Sequence, residues 1–258
     1  MKKKIKNIFK KSLIALILIS GLNHASLTDL GNGIVIDSHL NIGWLKDTNM
    51  YKTLCDANDP IFLTWTGSVD NTKEDICDQD NGRMSWDDAQ AWIEQLNTNN
   101  YLGISHWRLP MLVQPDASCE LQSSGIGSGY NCIGSELGHL FNITLANPNN
   151  AGTGATGGTV GNGCSPCFLN TTPFDNPQTF SYWYDSLQNP GAAWVFNTGF
   201  GLQDGSDRSD GIYVWPVYTS RAPVPIPTLS FSNLLLFTII ILLIALMRFK
   251  RVTAFNHL

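Results

Sequence analysis

An uncharged apolar run at residues 231–247, followed at once by Arg248, Lys250 and Arg251, sets where the rest of this chain can fold. At about 1.5 Å per residue such a run reaches about 25 Å as a helix, near the lower limit for a hydrocarbon core. Segments rich in Lys and Arg beside a span are held on the cytoplasmic side. Everything ahead of the run is therefore expected outside the cytoplasm. The opposite end predicts the same topology: Lys2, Lys3, Lys4, Lys6, Lys10 and Lys11 precede an apolar stretch at 13–19 and a small-residue exit at 21–26. That order outlines a secretory signal peptide over residues 1–25, with a short uncleaved anchor as the alternative. Neither run is amphipathic, which sets both apart from a buried core helix.

Between the ends lies an expected ectodomain, residues 26–221, long enough for one domain with a sizeable core. A proline-rich linker at 222–230, the transmembrane helix at 231–247 and a basic cytoplasmic tail at 248–258 follow. The prolines at 223, 225 and 227 stiffen the linker, because each fixes φ and disfavours helix in the residue before it. The overall charge of −5 conceals an asymmetry. All 21 acidic residues fall between Asp29 and Asp210, against only Lys46, Lys52, Lys73, Arg83, Arg108 and Arg208, which leaves that stretch at −15. A surface so acidic repels phosphate backbones and argues against a nucleic-acid partner.

All six cysteines, Cys55, Cys77, Cys119, Cys132, Cys164 and Cys167, lie in the exported part, where an even count favours disulfides over free thiols. Sequential pairing closes the shortest loops and is the expected connectivity. Cys164-Ser165-Pro166-Cys167 has the spacing of a redox pair, but no βαβ unit surrounds it and no further His or Cys completes a zinc set. A structural clip is the expectation.

Ser85 can cap a helix, with Asp88 reaching back in a capping-box arrangement, and Trp86, Ala89, Ile93 and Leu96 form an apolar stripe at helical spacing. A second, shorter helix is expected at 135–141, opened by Ser135, with Gly138 weakening it. Short aromatic or β-branched runs at 33–36, 43–45, 62–65, 180–184, 193–196 and 212–217 predict strands. Arg108, one of few cations in an acidic domain, is expected to form a structural, partly buried ion pair with a carboxylate.

Two resemblances rest on these residues. Ile226-Pro227-Thr228-Leu229-Ser230, the apolar helix and the basic end resemble the IPTL-type C-terminal sorting signals of bacterial envelope proteins. This resemblance implies the secretion machinery and a membrane-embedded sorting protease as partners. It places the chain in the inner membrane with its ectodomain outside, from which it can be released or sorted to the cell surface. Ser85-Trp86-Asp87-Asp88-Ala89, Trp107-Arg108-Leu109-Pro110, Glu136-Leu137-Gly138-His139-Leu140-Phe141, Tyr182-Trp183-Tyr184, Ala193-Trp194-Val195-Phe196 and Tyr213-Val214-Trp215-Pro216-Val217, in that order, resemble the Lcl C-terminal domain family. The resemblance implies an α+β fold of C-type-lectin-like or formylglycine-generating-enzyme-like type, with two helices and short antiparallel strands. It also implies a cell-surface adhesion role, since some members bind sulfated glycans. Trp183, Tyr184 and Trp194 are then the candidates for stacking on a sugar; filling the core is the alternative for such large aromatics.

Other candidate chemistry is thin. Asp204, Asp207 and Asp210, spaced by three among glycines, can hold Ca²⁺, the one cofactor the sequence suggests, or simply form solvated turns. Asp75, Asp78 and Asp80 make a similar cluster. Gly152-Thr153-Gly154-Ala155-Thr156-Gly157 matches a dinucleotide fingerprint, but no strand precedes it and no helix follows, so a surface loop is expected. His39, His106 and His139 stand in no H-E-x-x-H or G-x-S-x-G setting, and His139 reads as a core residue. No catalytic residue is assigned. The expected function is a non-enzymatic binding or adhesion module, with glycan or another surface polymer as partner; an envelope enzyme or a structural matrix component is the alternative.

Overall fold

A computed structural model describes residues 27–150, 164 and 166–220. The expected signal peptide, the glycine-rich loop at 151–163, the linker with its motif Ile226, Pro227, Thr228, Leu229 and Ser230, and the apolar run at 231–247 lie outside the described residues. Among the described residues, no helix is long and apolar enough to cross a membrane.

The domain is α+β, with antiparallel strands. Strands β1 (Leu27–Asp29), β2 (Ile34–Asp37) and β3 (Ile42–Leu45) open the chain, and β9 (Val217–Thr219) returns to pair with β3, giving the order β1-β2-β3-β9. The first and last described elements thus share one sheet. Their contact is tight: Gly43 lies opposite Tyr218 in register, and a Cβ on Gly43 would sit 2.1 Å from the Tyr218 ring. Only glycine leaves room for that ring. A meander of β6 (Ser181–Asn189), β7 (Ala192–Asn197) and β8 (Leu202–Asp207) forms a second sheet, and β4 (Leu121–Ser123) with β5 (Ile126–Ser128) makes a small hairpin. The aromatic runs predicted the strands at 33–36, 43–45, 180–184 and 193–196 well. The run at 212–217 is mostly irregular, with isolated bridges at Ile212 and Tyr213 before β9 begins at Val217. Pro216 has no N–H to give a ladder, which explains the interruption.

Helices outnumber the two expected. They are α1 (Met50–Asp56), α2 (Pro60–Thr64), α3 (Lys73–Asp78), α4 (Trp86–Thr98) and α5 (Glu136–His139), the last continuing as a π-helical turn over Leu140–Thr144. The expected strand at 62–65 is instead the end of α2. Asp59 caps it by accepting the Ile61 N–H at 2.9 Å, and Pro60 stands at the first helical position, so local capping chemistry prevails over the apolar run. In α3, Thr72 accepts the Asp75 N–H while its hydroxyl donates to the Asp75 carboxylate. This reciprocal pair accounts for Asp75, while Asp80 pairs with Arg83 at 3.7 Å. The acidic cluster at 75–80 is therefore largely helix-capping and ion-pair chemistry.

In α4 the Ser85 hydroxyl accepts the Asp88 N–H at 3.1 Å, as the sequence predicts. Asp88 does not reach back. Its fully buried carboxylate turns the other way and accepts the N–H groups of Val69, Asp70 and Asn71, so it fastens a neighbouring loop instead. The buried face of α4 is Ala89, Trp92, Ile93 and Leu96; Trp86 stays half-buried, donating its indole N–H to the Tyr184 carbonyl at 2.9 Å.

Two aromatic clusters build the core. Tyr51 on α1 meets the edges or faces of Phe62, Trp65 and Trp92 at centroid distances of 5.8, 5.6 and 4.9 Å. Trp215 meets Trp44, Phe174 and Tyr182 at 5.1, 4.8 and 5.2 Å. Edge-to-face contacts at such distances add to the burial of the rings. Cys55–Cys77 joins α1 to α3, Cys119–Cys132 closes the loop that carries the hairpin, and Cys164–Cys167 is a three-residue clip. This is the sequential pairing expected from the sequence.

Candidate functional site

Two groups that the sequence singled out are placed where they do not form a site. Trp183 and Tyr184 are 0% exposed and Trp194 4%, so none offers a face to a sugar. Trp183 donates to the Met84 carbonyl at 2.9 Å, and the Tyr184 hydroxyl donates to Gln203 Oε1 at 3.1 Å; these rings fill the core. The adhesion candidates on β6 and β7 are corrected accordingly. Asp204 and Asp207 belong to strand β8, and Asp210 accepts the Ser206 hydroxyl at 2.6 Å and the Asp207 N–H at 3.1 Å. Among the described residues, the groups of three His, Cys, Asp or Glu with ligand atoms mutually within 4.8 Å are Cys55, Cys77, Asp78 and Asp116, Cys119, Cys132. Each contains a disulfide, whose sulfurs are not thiolate ligands. Asp204, Asp207 and Asp210 are not so gathered.

Arg108 takes the structural role expected of it. Its guanidinium makes a two-pronged pair with Glu136, Nη1 to Oε2 at 2.8 Å and Nη2 to Oε1 at 2.7 Å, and Glu136 also accepts the Met111 N–H at 2.7 Å. Burial alone would lower the Arg108 pKa; the paired carboxylate outweighs it and holds the net value above the ordinary one. This pair pins the start of α5 to the segment that leaves the core after Pro110.

That segment, residues 111–135, leads away from the core and returns. Its interior is a polar frame. Asp116, 4% exposed, accepts from Ser118 N–H at 3.0 Å, from the Ser118 hydroxyl and from Gly134 N–H at 2.8 Å. Gln114 brackets Gly127 from both sides, donating to its carbonyl at 2.6 Å and accepting its N–H at 2.8 Å. Gln203, fully buried on β8, exchanges two backbone bonds with Gly129 and donates its side chain to the Gly127 carbonyl. On the outside, Met111, Val113, Leu121, Ile126 and Ile133 are between 38% and 53% exposed. Ser123 pairs with Ile126 in the β4–β5 ladder, so Leu121, two residues before Ser123, shares a face with Ile126. A disulfide and a hydrogen-bonded frame thus hold Leu121 and Ile126 toward solvent on one face of the hairpin.

A second grouping lies where the β2–β3 turn meets α5. His39 Nδ1 stands 2.6 Å from His139 Nε2, with the rings 19° from parallel. The stacked rings have their centroids 4.4 Å apart, with the two facing nitrogens within hydrogen-bond distance; which ring donates depends on the tautomer. His139 is buried and His39 exposed. Burial, and then the neighbouring His39, hold the His139 pKa below its ordinary value, against the pull of Asp37 and of a backbone bond to Ile133. Asp37 itself is fully buried: Oδ1 accepts the N–H groups of His39 at 2.9 Å and Leu40 at 3.1 Å, while Oδ2 has no hydrogen-bond partner. Nothing in the sequence linked these residues, because His39 and His139 are 100 positions apart. His106 is elsewhere, edge-on to Tyr218 at 5.6 Å.

A cavity of about 350 Å³ is lined by Leu27, Thr144, Leu145 and Asn170 among others. It contains no titratable side chain. Every cation between residues 27 and 220 is already in an ion pair: Lys46 with Asp29 and Asp175, Lys52 with Asp56, Lys73 with Glu74, Arg83 with Asp80, Arg108 with Glu136 and Arg208 with Asp87. The charge that remains unpaired is acidic. Comparison of the chain with family models, with curated proteins and with solved structures returns no match.

Proposed function

We propose that this chain is an exported, membrane-tethered binding module of the bacterial envelope, and that its recognition surface is the stapled segment at residues 111–135. The observation that carries this reading is the rigid display of Leu121 and Ile126 on one face of a hairpin, framed by Cys119–Cys132 and by Asp116, Gln114 and Gln203. A pre-ordered loop loses little entropy on binding, and exposed aliphatic side chains supply the apolar contact. Disulfides fit an oxidising compartment outside the cytoplasm. The signal peptide, the sorting motif and the anchor at 231–247 remain part of the proposal, as does processing by a sorting protease. A C-type-lectin-like architecture is supported by the sheet that pairs an early strand, β3, with the last, β9, and by the long segment carrying the exposed face.

Burial of Trp183, Tyr184 and Trp194 shifts the expected partner from a stacked sugar toward an apolar surface polymer. The test uses cells displaying the intact chain, scored for adhesion to protein-coated and hydrophobic surfaces, alongside a glycan array with and without Ca²⁺. The expected result is adhesion that falls at least about 10-fold in Leu121→Asp/Ile126→Asp, a loss consistent with a few buried anchors. Equal adhesion of the two chains, or none by either, rejects the reading. An envelope enzyme is the second reading, favoured by one observation, the contact of His139 with His39 beside Asp37.

A further inference from the structure

We infer that His39 and His139 form a binding site for a divalent transition ion of the kind imidazole prefers, Cu²⁺ or Zn²⁺, with Asp37 supplying negative charge from behind. Three features of the arrangement converge on this, and none of them uses Leu121 or Ile126, the side chains proposed above for recognition.

The first is a free lone pair. Two ring nitrogens 2.6 Å apart cannot both carry a proton, so at least one faces the contact as a lone pair, the form in which imidazole ligates.

The second is proximity. Two imidazole nitrogens on one ion at about 2.0–2.1 Å, at a tetrahedral angle, lie about 3.3 Å apart. From the observed 2.6 Å the gap has to widen by about 0.7 Å on that geometry. His39 is exposed and sits on the turn between β2 and β3, so rotation of one side chain provides the movement. The proton held at the contact moves to the far nitrogen of its own ring, which keeps that ring neutral and frees both facing nitrogens as ligands.

The third is the unbalanced charge. Asp37 is fully buried with Oδ2 unpartnered, and the Lys and Arg residues of the described chain are all in other pairs. A buried carboxylate oxygen without a partner is costly, and a cation at the neighbouring imidazoles offsets that cost. Asp37 does not lie within 4.8 Å of both ring nitrogens as a third member of a ligand set. It acts through its field, and water or an exogenous ligand completes the coordination on the exposed side of His39. Nitrogen ligands favour Cu²⁺ over Zn²⁺ in the usual order, and they discriminate against Ca²⁺ and Mg²⁺, which prefer oxygen.

The experiment is a titration of the intact detergent-solubilised chain with Cu²⁺ in a competing buffer, and separately with Zn²⁺, Ca²⁺ and Mg²⁺. Electron paramagnetic resonance of the Cu²⁺ form counts coordinated nitrogens. One equivalent of Cu²⁺ bound through two imidazole nitrogens is expected, with Zn²⁺ weaker and Ca²⁺ and Mg²⁺ not competing. His39→Ala, at an exposed position, keeps the fold and removes one nitrogen signature, with affinity falling at least about 100-fold. Loss of a direct ligand exceeds the 10–100-fold typical of residues that only support one. Asp37→Asn, which preserves Oδ1, weakens binding about 10-fold on the same scale. His106→Ala leaves binding unchanged. The inference is overturned if His39→Ala binds Cu²⁺ as tightly as the unaltered chain with the same spectrum, or if Ca²⁺ displaces the ion.

Discussion

Single side chains in this domain act by satisfying backbone groups far away in sequence. Glu136 joins Arg108 and the Met111 N–H, and its side chain is only 12% exposed against 25% for Arg108. Replacing Glu136 with Gln preserves its size and leaves the half-buried guanidinium without a counter-charge. Removing one partner of a well-buried pair costs several kcal/mol, but exposed pairs contribute far less. At this intermediate burial Glu136→Gln is expected to lower stability by about 2 kcal/mol, measured as a shift in the urea midpoint at constant slope. No shift would mean that the pair is fully screened. The sequence marked Arg108 as paired because cations are scarce here; it had no means to single out Glu136 among 21 acidic residues. Gly138 is similar. It weakens a helix by propensity, yet a Cβ there would meet the Cys132 carbonyl at 2.3 Å, so the packing of α5 on the disulfide loop demands glycine.

At the scale of elements, local chemistry was legible where it closes within a few residues. Ser85 and the buried face of Ala89, Ile93 and Leu96 identify α4 from spacing alone, and the structure keeps both. Phe62 to Trp65 misleads because four apolar and β-compatible residues look like a strand, whereas Asp59-Pro60 just ahead starts a helix. Asp88 shows the boundary between the two kinds of information. Its position three residues after Ser85 suggests a reciprocal cap, but the loop at 69–71 packs against it and supplies three backbone N–H donors. Charge-assisted hydrogen bonds contribute more than neutral ones, and those donors are left unsatisfied without Asp88. Asp88→Ala is therefore expected to cost about 3 kcal/mol, against about 1 kcal/mol for Ser85→Ala. Urea unfolding compares the two, and amide exchange should quicken at 69–71 in the first variant only. Equal costs would show that Asp88 serves the helix rather than the loop.

For the whole molecule, the disulfides set the stability that the unfolded chain cannot evade. Cys55–Cys77 and Cys119–Cys132 close 22- and 13-residue separations, and Cys164–Cys167 only three. Loop-closure entropy assigns about 3 kcal/mol to each longer bridge and about half that to the short one. Cys55→Ala/Cys77→Ala should thus lower the melting temperature distinctly more than Cys164→Ala/Cys167→Ala, as calorimetry of the two variants would read; the reverse order would mean that native packing, not chain entropy, governs their contribution. The amino-acid sequence by itself determined the capped helix α4, most strands of the core and the acidic balance of the domain, because each depends on neighbours along the chain or on composition; it offered sequential disulfides as the shortest closures among fifteen pairings, and the structure has that set. Tertiary structure alone decided that β9 lies beside β3, that Trp183, Tyr184 and Trp194 are buried, that Asp204, Asp207 and Asp210 do not assemble, and that His39 meets His139. Those outcomes turn on which distant surfaces exclude water together, and no local period or spacing encodes that choice.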